Sequence, residues 1–167
     1  MAKALIVYYS RSGNTKKMAE SIAEGIIQEN VSVDIRDAKD IMIADLLAFD
    51  AIIVGSPTYY GSMASDIKRL FDDSVSLHGK LDGKIGAAFT SSHHIGGGNE
   101  TTILDILHSM LIHGMIVQGD WKGDHYGPVA IGAPDERTVK ECLRLGNRIA
   151  QSIKQCHKSL SKNRAVL

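Results

Sequence analysis

No charge bias, cysteine cluster or long apolar run marks this chain, and each absence removes a class of function. Nineteen Lys and Arg balance nineteen Asp and Glu, for a formal net charge of +0. No global field therefore draws the chain toward nucleic acid, anionic lipid or a strongly basic partner. Cys142 and Cys156 are the only cysteines and form no CxxC, which excludes a thioredoxin-type site and a zinc ribbon and leaves two plain thiols suited to a reducing compartment. No apolar run approaches the roughly 18 residues that span a bilayer. Positions 1–3 lead straight into strand-like sequence rather than a signal peptide, so the expectation is a soluble cytoplasmic protein with no membrane and no nucleic-acid partner. No linker, repeat or low-complexity tract appears, and the 167 residues, 44% hydrophobic and 23% charged, suit one domain over 1–167 with a tail at 158–167 polar enough to fray.

The apolar residues alternate between two patterns. Positions 4–9 are a continuous run of the kind that fills a strand buried on both faces. After a polar stretch at 10–15, Met18, Ile22, Ile26 and Ile27 recur at helical spacing. Further strands are predicted at 31–35, 51–54, 85–89 and 115–118. Helical stretches are predicted at 41–47, 67–75, 103–113 and, entered through Pro134-Asp135, 136–156. Five strands alternating with helices predict an α/β doubly wound three-layer sandwich on a five-stranded parallel sheet, in the order 2-1-3-4-5. Ligands of such sheets sit beyond the carboxyl ends of the strands at the switch point, which singles out the loops at 10–15, 56–62 and 90–99.

The first of these loops, Ser10-Arg11-Ser12-Gly13-Asn14-Thr15, places three hydroxyls and one glycine at the start of a helix. Unpaired first-turn N–H groups and the positive end of the helix dipole favour an anion there, although Ser and Asn also suit a plain cap and turn. A P-loop would need GxxxxGK followed by Ser or Thr, and a dinucleotide fingerprint GxGxxG; neither follows the first strand. A response regulator would need an acidic residue ending strand three, where Gly55-Ser56 stands, and a cysteine phosphatase a cysteine opening the anion loop. A mononucleotide with one terminal phosphate remains. In the second loop, Pro57, Thr58, Tyr59, Tyr60 and Gly61 combine a rigid turn, polar groups and two aromatics, which suits one wall for a planar ring or a simple packed surface turn. The third loop offers Ser91, Ser92, His93 and the glycines Gly96, Gly97 and Gly98, and flexible loops are often glycine-rich without binding anything. Among seven histidines no HxxxH pattern or carboxylate cluster appears, and no metal site is predicted.

The loop at 10–15 matches every fixed position of the pattern Ser/Thr-x-Ser/Thr-Gly-x-Thr, and with the stretch 55–61 the chain resembles the flavodoxin superfamily. Within it the chain is most similar to NAD(P)H:quinone oxidoreductases of the tryptophan-repressor-binding type, through the Pro-Thr-aromatic loop, the Ser-Ser-x-x-x-Gly-Gly-Gly loop and His113-Gly114-Met115. The resemblance implies a flavodoxin-like fold and one non-covalent FMN. Its phosphate would lie on Ser10, Arg11, Ser12, Gly13, Asn14 and Thr15; its ring would lie against Pro57 to Gly61, with the Tyr60-Gly61 peptide near N5, and against Ser91, Ser92, His93 and Gly96 to Gly98. It further implies NAD(P)H as co-substrate, a quinone or other small acceptor, a homodimer or homotetramer, and a role for His113 near the flavin, a position a structural histidine would equally fill. Trp121 and Tyr126 suit a flavin cap or a simple anchor for their loop. The alternatives left open are a flavodoxin-like electron carrier, an NADPH-dependent FMN reductase and an FMN-dependent interaction module.

Overall fold

The computed structural model describes residues 2–164. Its strands are β1 (Lys3–Tyr8), β2 (Ser32–Asp37), β3 (Ala51–Tyr59), β4 (Ser62–Met63), β5 (Ile85–Ser92), β6 (Ile116–Val117) and β7 (Val129–Ile131). The helices are α1 (Asn14–Gln28), α2 (Ser65–Asp73), α3 (Asn99–Ile112) and α4 (Glu136–Arg164), with short 3-10 turns at Ile43–Ala48 and Ser74–Leu77. The sheet runs β2-β1-β3-β5-β6, and every pairing along that path is parallel. This is the predicted order, with two short strands added. β4 folds back on β3 as an antiparallel hairpin, and β7 pairs with the carboxyl end of β5 where β6 pairs with its start. The last parallel strand is thus split in two, and its three-residue second half was too short to stand out from the loop predicted at 119–134.

Period-two alternation along the central strands feeds two cores. Ala4, Ile6, Ala51, Ile53, Ala87 and Phe89 meet α1 and α4 on one face, while Leu5, Val7, Ile52, Val54 and Ala88 meet α2 and α3 on the other. Burying each of the larger aliphatic side chains contributes roughly 1.5–3 kcal/mol. On the first face α1 and α4 approach until backbones touch: a Cβ at Gly25 would stand 2.2 Å from the Leu143 carbonyl oxygen, and one at Gly146 2.1 Å from that of Ile22.

β3 and β5 both outrun their predicted ends. Gly55-Ser56-Pro57 reads as a loop, yet these residues stay in parallel register with Phe89, Thr90 and Ser91. Gly55 is not a breaker: a Cβ there would fall 2.1 Å from the Phe89 ring, so the glycine makes room for a fully buried aromatic. α4 passes its predicted end at 156 and continues to Arg164, since no glycine or proline interrupts positions 157–164. Of the tail predicted to fray, 165–167 lie outside the described residues. Among the described residues no helix is long and apolar enough to cross a membrane.

Candidate functional site

The carboxyl ends of β1, β3 and β5 open into one cleft of about 290 Å³. Its lining draws Arg11, Ser12 and Asn14 from the first loop, Pro57, Thr58 and Tyr59 from the second, and Ser91, Ser92 and His93 from the third. The sequence missed Gly132, which closes the wall after β7. Its only signal was a glycine just past a short apolar run.

The end nearest α1 is an anion cradle. Gly13 caps the helix in a left-handed conformation and has no side chain of its own to accept from the first turn. Among the described residues the N–H groups of Ser12, Gly13, Asn14 and Thr15 donate no hydrogen bond, whereas Lys17 N–H returns to the Gly13 carbonyl at 3.0 Å and Lys16 N–H reaches Ser10 Oγ at 3.3 Å. Unpaired N–H groups at the positive end of a helix are what a terminal phosphate needs. The donor set therefore fits the phosphate of FMN. Thr15 itself is buried behind the loop, its hydroxyl 2.9 Å from Ser91 Oγ. It ties the first and third loops together rather than facing the cleft.

Below the cleft lies a cluster of hydroxyls. Thr90 Oγ1 donates its one hydrogen to the Ser56 carbonyl at 2.7 Å. Thr102 Oγ1 on α3 likewise spends its hydrogen on the Gly98 carbonyl at 2.7 Å, so the single hydrogen of Thr58 is the one available to both of its contacts, with Thr90 at 3.2 Å and with Thr102 at 3.0 Å. Ser56 Oγ donates to the Pro57 carbonyl and accepts from Ala64 N–H, both at 2.8 Å. Every buried hydroxyl here is partnered, which holds the strand ends rigid beneath whatever binds above them.

The hairpin tip between β3 and β4 carries Tyr60 and Gly61 at φ 49 and 80, two consecutive left-handed residues of a tight two-residue turn. The Tyr60 side chain is fully exposed and neither residue lines the cleft. The first turn of α3 clamps this tip: Thr101 Oγ1 donates to the Gly61 carbonyl at 2.6 Å and Ser62 Oγ to Asp105 at 2.5 Å. Gly98 caps α3 so close to the tip that a Cβ on it would stand 2.4 Å from Gly61 Cα. Gly96, Gly97 and Gly98 are likewise absent from the cleft lining. Tyr59 does face the cleft, edge-on to Tyr9 with centroids 6.4 Å apart. Burial raises its phenol pKa above the ordinary value, Tyr9 adds to the rise, and the nearby Arg11 guanidinium opposes it.

His113 is a correction. It precedes β6, whose Ile116 pairs with Ile85 at the opening of β5, so it sits at the amino edge of the sheet, opposite the cleft. There it is buried among Leu46, Leu70, Met110 and Met115. Ser74 Oγ spends its hydrogen on the Phe71 carbonyl at 2.7 Å, so His113 Nε2–H donates to Ser74 at 2.8 Å and leaves a buried, unpartnered Nδ1. Burial lowers the His113 pKa, and the neighbouring His78 lowers it further. Its place in the sequence suggested a role beside the ligand; the crossover geometry, which brings α3 back to the amino edge before β6 begins, removes it.

The long loop before β7 is pinned to α4. Arg144 donates to Asp120 at 2.6 and 2.8 Å, Arg148 pairs with the same carboxylate at 2.7 Å, and Arg137 grips Asp124 at 3.0 Å. The Arg144 bonds, joined by those from Lys122 N–H and Arg148, hold the Asp120 carboxyl well below the usual range. Trp121 and Tyr126 stand exposed on this loop, outside the cleft lining. Burial pushes the Cys142 thiol up to about 12, and both cysteines are free. Among the described residues no group of three or more His, Cys, Asp or Glu could hold a metal ion.

The flavodoxin domain family matches residues 5–94, a span that takes in all three loops up to His94. The chain is 42% identical to a protein of Aquifex aeolicus named flavodoxin, over 90% of this chain and 86% of that one. It is 39% identical to a protein of Caulobacter vibrioides named NAD(P)H dehydrogenase (quinone), over 94% and 100%. Among solved structures it superposes on a flavodoxin described as WrbA-like, from Agrobacterium tumefaciens, with a TM-score of 0.77 at 29% identity, covering 93% of this chain and 99% of that one.

Proposed function

Because this chain belongs to the flavodoxin family, we propose that it is one FMN-binding domain over 1–167 that works in the cytoplasm as an NAD(P)H:quinone oxidoreductase. The observation that carries this reading is the convergence of the three carboxyl-end loops on a cleft whose α1 end presents four unpartnered N–H groups. FMN, once bound, supplies hydride acceptance and release at N5. The rest falls to the chain. Ser10, Ser12 and Asn14, with the freed amides of 12–15, hold the phosphate. Pro57, Thr58 and Tyr59 on one side and Ser91, Ser92 and His93 on the other hold the ring. The clamped tip at Tyr60-Gly61 borders it without lining the cleft. Trp121 and Tyr126 stand outside the cleft, and the third loop supplies His93 and His94 but no Trp or Tyr to cover the outer face, so a nicotinamide or quinone ring can stack there in turn. No side-chain nucleophile is needed, and relatives named NAD(P)H dehydrogenase (quinone) at 31% and 39% identity support the assignment.

The test is a visible spectrum of the protein reconstituted with FMN and mixed anaerobically with excess NADH or NADPH. Bleaching within seconds, reversed by benzoquinone, is the expected result. Bound flavin that stays unbleached favours the second reading, a carrier of electrons between redox proteins, which the 42% identical relative named flavodoxin supports. Failure to take up FMN overturns both. The family resemblance also carries a homodimer or homotetramer, and light scattering that finds only monomer at micromolar concentration removes it.

A further inference from the structure

Arg11 and Arg69 are the two arginines with described side chains that have no carboxylate partner, and of the two only Arg11 lines the cleft. Arg36, Arg137, Arg144 and Arg148 each pair with a carboxylate at 3.0 Å or less. Among the described residues no carboxylate lies within ion-pair distance of Arg11, although it lines the cleft and is exposed at its mouth. Its guanidinium instead reaches the neighbourhood of the Tyr59 hydroxyl, on the loop across the cleft, and opposes the rise that burial imposes on that phenol. The phosphate cradle does not need it, since four backbone amides and the hydroxyls of Ser10 and Ser12 already surround the start of α1. A planar fork of donors that meets a tyrosine hydroxyl but no carboxylate, beside an aromatic wall, suits a second phosphate arriving with a stacking ring.

Resting on the oxidoreductase reading above, we propose that Arg11 is the residue that recognises the pyridine dinucleotide, by pairing with one of its phosphates as the nicotinamide enters over Tyr59. Quinones carry no phosphate and bypass it. Arg11 thereby separates the two substrates that share one cleft. The same chemistry comes from the pyrophosphate, common to NADH and NADPH, or from the 2′-phosphate, which only NADPH carries.

The experiment uses the FMN-loaded protein as wild type, Arg11→Gln and Arg11→Lys. Calorimetry measures binding of ADP-ribose, which holds the pyrophosphate, and of 2′,5′-ADP, which holds the 2′-phosphate; steady-state kinetics give KM for NADH, NADPH and benzoquinone. Arg11→Gln is expected to weaken the phosphate ligand about fivefold to tenfold, as loss of one exposed charge-assisted contact does, and to raise the matching KM without moving KM for benzoquinone or the affinity for FMN. A loss shared by ADP-ribose, NADH and NADPH identifies the pyrophosphate; one confined to 2′,5′-ADP and NADPH identifies the 2′-phosphate. Arg11→Lys keeps the charge without the fork and should recover part of the loss, and in wild type the binding should weaken with added salt. Unchanged binding of both phosphate ligands in Arg11→Gln overturns the proposal, and so does an equal loss for benzoquinone or a loss confined to FMN. Failure of the wild type to bind FMN or to be bleached by NAD(P)H is a separate result, and it overturns the oxidoreductase reading itself.

Discussion

Gly96 and Gly98 share a left-handed backbone and differ in what surrounds them, so one alanine at each separates strain from crowding. At Gly96 φ is 69 and a Cβ would meet nothing within 4 Å. Gly96→Ala therefore bears only the left-handed penalty of about 1–2 kcal/mol, partly offset by the stiffer unfolded chain, for a net cost of about 1 kcal/mol. At Gly98 φ is 98, and the added methyl would stand 2.4 Å from Gly61 Cα and 3.1 Å from Thr101 Oγ1. Backbone gives way poorly, so the hairpin tip must lift by about 1 Å and strain the 2.6 Å Thr101 to Gly61 bond. We expect Gly98→Ala to cost about 3 kcal/mol by urea denaturation of the FMN-free protein, and Gly96→Ala about 1 kcal/mol. Fluorescence titration with FMN should show a tenfold or greater loss of affinity for Gly98→Ala and a change within about threefold for Gly96→Ala. Equal costs for the two variants would refute the reasoning, because the contact between the two loops would then carry no weight.

Two further expectations test parts of the molecule away from the cleft. Asp120 has a folded-state pKa held below its unfolded value by Arg144, Lys122 N–H and Arg148, so the stability it contributes is present above the unfolded pKa and is lost as pH falls through the folded one. Acid titration of unfolding should show wild type losing stability below about pH 4 and Asp120→Asn losing less over the same window; identical pH profiles would remove the network as a source of stability. His113 is held neutral by burial, and the same sign rule makes wild-type stability fall as pH drops below about 6.5. His113→Gln should flatten that slope while leaving FMN affinity within about twofold, and a large loss of FMN affinity would return His113 to the site.

Much of the fold was legible because its signals are long-range and repetitive. Continuous apolar runs and helical spacing identify all five strands of the parallel path and all four α-helices, and the alternation of elements gives the order that the pairings show. Boundaries were less legible for a reason visible at Gly55. A glycine inside a strand and a glycine ending one look alike in sequence, and only the Phe89 ring above it distinguishes them. β7 escaped because three residues show no periodicity; Thr90 and Arg137 fix it from outside, through Thr90 N–H to the Pro128 carbonyl at 3.0 Å and Arg137 to the Val129 carbonyl at 2.6 Å.

The candidate site was legible as loops but not as directions. Chain order and sheet topology bring residues 11, 12, 14, 57–59 and 91–93 to one cleft, since any doubly wound sheet gathers the carboxyl ends of its central strands. Which way each side chain points depends on contacts between loops. Thr15 turns inward to Ser91, Gly98 packs on Gly61, and His113 returns to the amino edge. These three placements share a cause: a motif records which residue types occupy a loop, whereas the hydrogen-bond partner that fixes each direction lies 30 to 80 positions distant, as in the pairs Thr15 with Ser91, Thr101 with Gly61 and His113 with Ser74. Arg11 is the converse case. No carboxylate claims its charge, and that is why the cleft is where its charge has work to do.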